Sequence, residues 1–314
     1  MHQVTLEDFS TLDLGDVRRD KRFVTLINNI STQPGSSIPR QNQKWYDVKA
    51  TYEFFKNEGI RQQALQKALS DYGCKQVADQ LELLIIHDIS TISFNKLQAQ
   101  GLGYTHKDGR GILCFSSMGV STAGLPLSLL YQHSWIRPIE EFGKASHRHL
   151  RNFEDKESHS WYAAMRNVND VLGNGIHKIH IADREADIYE LFFSAFEENT
   201  DLLIRAKHNR KTDEGYAVWD LVSQQHPVGI VTVEVPDSTG KKKQSVQAEL
   251  RFQTVKIIRP WSSKEKYESV TLTAIEVKEL QDVGRSDDEL LHWKLFTTLD
   301  IKSTEDAMKC VKWY

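Results

Sequence analysis

Two aspartates, each preceded by a short apolar segment, are the residues of this sequence best suited to chemistry. Asp88 follows the apolar run 81–87, and Asp183 follows the alternating run 176–182. Both runs predict buried β-strands that end in an acid. The carboxyl ends of parallel strands meet at one edge of a sheet, where reacting groups collect. If the two strands are neighbours, we expect the two carboxylates to lie side by side.

Two close carboxylates repel each other unless they share a proton or a cation. A pair of Mg²⁺ ions, roughly 3.5–4 Å apart, is the usual arrangement in enzymes that cleave phosphodiesters. The alternative is structural, because an aspartate at the end of a strand often caps the next helix or turn. Glu185 and Asp187 fall within the first turn of the following helix. They are therefore expected to interact with the helix dipole or to support the site from outside.

The elements around the aspartates predict an α/β fold. Three strands with short connections come first and should be antiparallel, and a helical crossover then leads to a parallel fourth strand. A second helix, with apolar residues at helical spacing from Ile188 to Phe196, leads to a fifth strand. This is the order of a ribonuclease-H-like core. The predicted strands cover 81–88, 111–120, 126–135, 176–182 and 201–207, and the crossover helix covers 157–172.

The texture of the chain divides it into four parts. Residues 1–78 read as a helical domain in which Trp45, Val48, Tyr52 and Phe55 form one apolar stripe. Residues 79–207 hold the first part of the core. Residues 208–291 alternate apolar and polar positions and predict an antiparallel β insertion, and residues 292–314 return to the core with a final strand and a helix that starts at Ser303.

Composition excludes some classes of protein. The 314 residues are 39% hydrophobic with a net charge of −3, no apolar run reaches membrane-spanning length, and no signal-peptide segment is evident. The three cysteines have no metal or redox spacing, which favours a cytoplasmic location. DNA binding would have to rest on local basic groups, such as Arg18, Arg19 and Arg22, and that cluster is either a solvated helix face or part of a small DNA-contacting module.

The segment Asp183-Arg-Glu-Ala-Asp-Ile188 after a strand resembles the second-aspartate motif of the IS-four-type, Tn-five-like bacterial DDE transposases. The resemblance extends over nearly the whole chain. It includes Leu14-Gly-Asp-Val-Arg-Arg-Asp-Lys-Arg-Phe23, Ala50-Thr-Tyr-Glu-Phe-Phe55, His87-Asp88-Ile-Ser-Thr-Ile-Ser93, Trp135-Ile-Arg-Pro138 and Leu203-Ile-Arg-Ala-Lys-His208.

This resemblance implies a cut-and-paste DNA transposase that binds the inverted-repeat ends of its element, cuts through a hairpin and inserts the element into target DNA. It implies that Asp88 and Asp183 are catalytic and hold two Mg²⁺ or Mn²⁺ ions. It also implies that full-length members of the family form homodimers. The expected location is the cytoplasm, in association with the bacterial nucleoid. DNA contacts are implied at Arg184, Arg205, Lys207, Arg210, Lys211, Trp293, Tyr314, Arg18, Arg19 and Arg22, with Trp293 stacking on a flipped base.

The sequence departs from the family at Tyr314. The family continues from this tyrosine to an arginine, a catalytic glutamate and a lysine at fixed spacing, followed by dimerisation helices. Glu305 and Asp306 lie too early in the helix to replace the glutamate. The expectation is therefore a truncated transposase with weak metal binding and little cleavage. The rivals are a non-catalytic DNA-binding remnant that occupies ends or inhibits full-length protein, and a different metal nuclease on the same core.

Overall fold

The computed structural model describes residues 3–42, 44–94, 100–105, 109–142, 153, 156–236, 243–261, 263, 267–280 and 290–314. Its first part is helical, as predicted. Asp16 caps the first helix by accepting a hydrogen bond from the backbone N–H of Arg18. Phe23 and Leu26 bury the inner face of that helix. The four helices are α1 (Val17–Thr32), α2 (Ile38–Gln41), α3 (Trp45–Lys56) and α4 (Gln62–Val77).

Two details of the helical part differ from the expectation. The segment 34–39 holds two prolines and a glycine, which interrupt a helical pattern, but a proline at the start of α2 allows one short helical turn there. The predicted stripe of α3 is wrong in its orientation, because Trp45, Tyr52 and Phe55 are exposed and only Val48 is buried. Thr51 and Phe54 accompany Val48 on the inner face instead.

The rest of the chain is organised on one sheet, which contains ten strands in the described residues. The predicted strands are all present, with small changes at their ends. The first five in the core are β1 (Glu82–Ser93), β2 (Gly103–Tyr104), β3 (Arg110–Ser121), β4 (Pro126–Trp135) and β5 (His177–Ala182). The others are β6 (Asp201–Arg205), β7 (Gly229–Pro236), β8 (Lys243–Ile258), β9 (Ser269–Glu279) and β10 (His292–Thr297).

The strand directions agree with the expected order. β4 pairs with β3, and β3 with β1, both antiparallel, while β1, β5 and β6 run parallel. β10 then pairs antiparallel with β6 and continues the sheet through β9 and β8 to β7. The β-rich segment 208–291 therefore extends the same sheet rather than forming a separate one, because β10 joins the two halves.

Helices cover both faces of the sheet. α5 (His159–Leu172) and α6 (Tyr189–Glu197) pack on one face around Phe115 and Phe192. α8 (Thr304–Trp313) packs on the other face, where Ala307 and Cys310 contact a core that includes Ile179 and Ile181. A short helix that the sequence did not predict, α7 (Val218–Ser223), also lies on the α5 face.

The helical part is joined to the sheet by a close contact between α4 and β4. A Cβ placed at Gly73 would lie 2.5 Å from the carbonyl oxygen of Leu129, so only glycine allows the approach. Ser70 donates a hydrogen bond to the carbonyl of Leu130 at the same contact. The helices of residues 1–78 are therefore packed directly against the sheet. In the described residues, no helix combines the length and the apolar character that crossing a membrane requires.

Candidate metal and DNA-binding site

The pairing of β1 with β5 determines where Asp88 and Asp183 lie. The two strands pair in parallel from Glu82 opposite His177 to Ile86 opposite Ile181, a constant offset of 95 positions (177 − 82 = 95). Continued two residues past the last pair, the same offset would set Asp183 opposite Asp88 (88 + 95 = 183). Side chains two residues apart on a strand point to the same face. Both aspartates therefore follow their isoleucines on the face that α8 covers.

One expectation about Asp88 is corrected. The strand was predicted to end at Asp88, but β1 continues to Ser93, because β3 pairs with it along its whole length. β5 ends at Ala182, so β1 leaves its parallel neighbour near Asp88 while keeping its antiparallel one. Asp88 is therefore exposed and lies within β1 rather than at its end. The pairing of β1 with β5 stops at Ile86, because β5 ends at Ala182.

The carboxylates make few hydrogen bonds. Asp183 Oδ1 accepts the backbone N–H of Glu185 at 2.8 Å and so caps the 3₁₀ turn 184–186. Asp88 Oδ2 accepts the hydroxyl of Ser90 at 3.1 Å. The other oxygen of each carboxylate makes no hydrogen bond to any residue that the structure describes. The capping interpretation of Asp183 is thus correct, and it leaves an oxygen available to a cation.

Basic and aromatic groups lie beside the acidic row, which is the pair Asp88 and Asp183. β6 pairs with β5 at an offset of 22 (201 − 179 = 22), which sets Arg205 opposite Asp183 (183 + 22 = 205) on the same face. The hydroxyl of Tyr314 lies near Arg205 and Asp183, and its pKa is raised by burial and by Asp183 against the opposing effect of Arg205. The half-buried ring of Trp293 meets the ring of Tyr314 edge to face, with 5.2 Å between centroids.

The donor set fits a hard divalent cation in part. Carboxylate oxygens are the ligands that Mg²⁺ prefers, and it commonly keeps waters in its remaining positions. Asp88 and Asp183 would supply two such ligands. Among the described residues, no group of three His, Cys, Asp or Glu side chains is arranged to hold a metal. In α8, Asp306 is engaged in the cap at Ser303, as expected for a helix start.

Arg210 has a different position from the one that the resemblance implies. Its guanidinium is only 8% exposed and forms an ion pair with Asp187, whose side chain is fully buried. The second oxygen of Asp187 accepts the backbone N–H groups of Lys207 and His208 at 2.7 and 2.8 Å. Asp187 and Arg210 therefore hold the segment 207–210 in place, and the Arg210 side chain does not reach outward to a phosphate.

Lys207, Lys211 and Arg184 do face solvent around this buried pair. Arg184 lies in the 3₁₀ turn that follows Asp183. A lysine or arginine held on a fixed backbone can position a phosphate close to the acidic row. The site thus combines two adjacent carboxylates with exposed cations on both of the segments that follow β5 and β6.

The three arginines of the basic cluster on α1 make contacts with other residues of the helical part. Arg18 is exposed and pairs with Asp16. Arg19 donates to the carbonyl of Leu14 at 3.0 Å, and Arg22 pairs with Asp47 at 3.0 Å. Arg19 and Arg22 therefore stabilise the packing of α1, and Arg18 is the member of the cluster most open to solvent.

The outer face of α3 is a surface that the sequence reasoning missed. Trp45, Lys49, Tyr52 and Lys56 are all exposed and follow one another at helical spacing, with Trp45 78% exposed. Lysines alternating with aromatic rings along one helix face are typical of nucleic-acid contact. The signal in the sequence that could have revealed this surface is the helical spacing of Val48, Thr51 and Phe54, which form the buried face of α3. Burying those residues turns the two large aromatics outward.

A buried chain of hydrogen bonds lies beneath the acidic row, on the opposite face of β1 and β5. Ser117 Oγ is 2.8 Å from His87 Nδ1, His87 Nε2 is 2.7 Å from His180 Nδ1, and His180 Nε2 is 3.1 Å from Asn169 Oδ1. Every contact is satisfied if both imidazoles are neutral and carry their proton on Nε2. Burial lowers the pKa of His87 to about 3 and lowers that of His180 well below its ordinary value.

The helical part of the chain is similar to a known family model. Residues 1–60 match the model described as Transposase DNA-binding. This match supports a DNA transposase and a DNA partner, and it covers α1, α2 and α3, including the outer face of α3.

The whole chain also has a structural neighbour. The structure titled "Cryo-EM structure of piggyBac transposase synaptic complex with hairpin DNA (SNHP)" matches 99% of this chain with a TM-score of 0.43 and 10% sequence identity. The chain covers 56% of that chain's length. A similarity at this level carries no argument about mechanism.

Proposed function

We propose that this chain is a DNA transposase of the cut-and-paste DDE type, similar to the IS-four group, built on a ribonuclease-H-like core. The observation that carries the proposal is the parallel pairing of β1, β5 and β6, whose offsets would set Asp88, Asp183 and Arg205 in one row. The transposase DNA-binding domain at residues 1–60 supports the same conclusion independently. The strand order β4, β3, β1, β5, β6 is the one expected of that core.

In this proposal Asp88 and Asp183 hold Mg²⁺ or Mn²⁺, and Arg205 and Arg184 position the scissile phosphate beside them. The cation would activate the attacking water or hydroxyl and stabilise the leaving oxygen. The exposed side chains of Lys207 and Lys211 would bind the phosphates on either side. Trp293 and Tyr314 would offer aromatic surface to a base next to the cut.

We also propose that α3 contacts the transposon-end duplex through its outer face. Lys49 and Lys56 would bind phosphates, and Trp45 and Tyr52 would pack on the groove edges. Replacing both lysines by alanine is expected to weaken binding to a duplex carrying the element's end. Each lost phosphate contact should make the slope of log K against log salt shallower by about one unit. Fluorescence anisotropy over a salt series measures both quantities.

The matched control for this experiment is Lys67→Ala. Lys67 is an exposed lysine on α4 that pairs with Asp71 on the same helix. Its removal is expected to leave the salt slope unchanged. The role of α3 is refuted if the double Lys49→Ala, Lys56→Ala variant keeps the parent's affinity and slope.

A second candidate function has one observation in its favour. No group of three His, Cys, Asp or Glu side chains in the described part of the chain is arranged to hold a metal. A chain with this ligand set could occupy transposon ends, or inhibit an active transposase, without cutting DNA. Metal-dependent nicking of an end-containing duplex discriminates the two functions. Nicking that disappears in Asp183→Asn supports a transposase. Duplex binding without nicking supports a chain that occupies transposon ends without cutting them. Nicking that shows no preference for the end sequence would instead indicate a different nuclease.

A further inference from the structure

A cleft that includes Lys211 has no role in the proposal so far apart from that lysine. Its volume is about 720 Å³, within the range of pockets that hold small ligands. It is lined by the segments 187–190 and 258–261 together with His208, Arg210, Lys211 and Ser263. Trp261 stands at this cleft with 98% of its surface exposed, the most exposed of the large hydrophobic side chains that the structure describes.

The charges in the lining favour an anionic ligand. The carboxylate of Asp187 is neutralised by Arg210 at the base of the cleft. The carboxylate of Glu190 accepts the hydroxyl of Ser263 at 2.8 Å. The Lys211 side chain is exposed and makes no hydrogen bond or ion pair with the described part of the chain, and its backbone carbonyl accepts the N–H of Ile258. The cleft therefore presents the Lys211 cation next to a large aromatic ring.

The backbone connects this cleft to the acidic row. Asp183 caps the turn 184–186, and Asp187 follows directly, four positions after the cap (187 − 183 = 4). Asp187 in turn binds the N–H groups of Lys207 and His208, which start the segment that ends at Lys211. A strand held by Lys207 near the acidic row would therefore reach Lys211 and Trp261 if it followed this segment.

We propose that the cleft binds an unpaired nucleotide of the DNA strand held at the acidic row. A duplex hides the faces of its bases, so an indole that projects into solvent can stack only on a base that is unpaired or at an end. In this arrangement Trp261 stacks on the base, and Lys211 binds the adjacent phosphate. The inference rests on the proposed DNA transposase function. It adds a second DNA contact that prefers unpaired nucleotides to duplex.

The test uses the full chain and a fluorescein-labelled single strand of mixed sequence, about 20 nucleotides long, alongside the matching blunt duplex. Replacing Trp261 by alanine is expected to raise the Kd for the single strand about tenfold, the loss of one base–aromatic stack. Trp261→Phe should recover most of the affinity, because a phenyl ring still stacks. Lys211→Ala should make the salt slope for the single strand shallower by about one unit.

Phe196→Ala provides the matched control, since Phe196 is another exposed aromatic residue, at the end of α6 away from the cleft. It should leave the binding of both probes as in the parent. An unchanged Kd for the single strand in Trp261→Ala would overturn the cleft while leaving the proposed function intact. A parent chain that binds neither probe would overturn both. A change of oligomeric state in Trp261→Ala, without a change in Kd, would identify the cleft as a protein interface and also overturn the inference.

Discussion

Replacing Asp187 by alanine is expected to lower the free energy of unfolding by about 3–5 kcal/mol. The change leaves the guanidinium of Arg210 buried without its partner, and breaking one side of a buried ion pair has a cost of this order. It also removes the acceptor of the Lys207 and His208 N–H groups. Urea denaturation of the parent and the variant measures the difference. A midpoint unchanged from that of the parent would contradict it.

The same ion pair allows a sharper comparison. Arg210→Ala should be similarly destabilising, because it leaves the charge of Asp187 buried and unpaired. The double variant Asp187→Ala, Arg210→Ala should lose less than the sum of the two single changes, since no unpaired charge remains. Lys67→Ala breaks an exposed pair and should cost no more than about 0.5 kcal/mol. Strict additivity of the two single changes would show that Asp187 and Arg210 are energetically independent.

Acid is expected to destabilise the protein through His87 and His180 before most carboxylates are protonated. The pKa of His87 is about 3 in the folded chain and about 6.5 when unfolded, so the unfolded state binds more protons between these values. The stability from the neutral pair is therefore fully present above the unfolded pKa and is lost as pH falls through that window. For His87 alone, the loss between pH 7 and pH 5 is about 2 kcal/mol, and His180 adds to it in the same direction.

A pair of variants isolates this effect. Changing both His87 and His180 to glutamine removes the titrating groups, so stability should vary less between pH 7 and pH 5, whatever its starting value. His226→Gln removes an exposed histidine and should keep the slope of the parent. Equal slopes in the parent and in the double variant would show that the buried pair does not control the acid response. Thermal unfolding across this pH range provides the measurement.

Much of the core could be predicted because its signals are local. The runs before Asp88 and Asp183 are apolar and β-branched, so their strands followed from composition alone. Short connections fixed the antiparallel strands, and the helical crossover between β4 and β5 fixed the parallel one. The expectation of neighbouring carboxylates depends on those strands being adjacent. The parallel pairing of β1 and β5 confirms the adjacency of the strands, and the proximity of the two carboxylates stays a prediction.

The predictions that were wrong concern residues whose contacts come from segments distant in the sequence. Arg210 looked like a free cation until the loop folded back onto Asp187, 23 residues earlier. Trp45 and Tyr52 looked like core residues because the amphipathic pattern of α3 has two apolar faces, and only packing against α1 and α4 selects the one with Phe54. Asp88 looked like a strand end because the pairing with β3 that extends β1 to Ser93 is invisible in the sequence of β1 itself.

The central claim is that Asp88 and Asp183 together hold a divalent cation, and calorimetric titration of Mn²⁺ into the full chain tests it most directly. We predict a Mn²⁺ site in the parent that is lost in both Asp88→Asn and Asp183→Asn. Asp300→Asn, which changes an exposed aspartate paired with Lys302, should bind as the parent does. Mn²⁺ binding that survives in both site variants, or a parent that binds no Mn²⁺, would contradict the account.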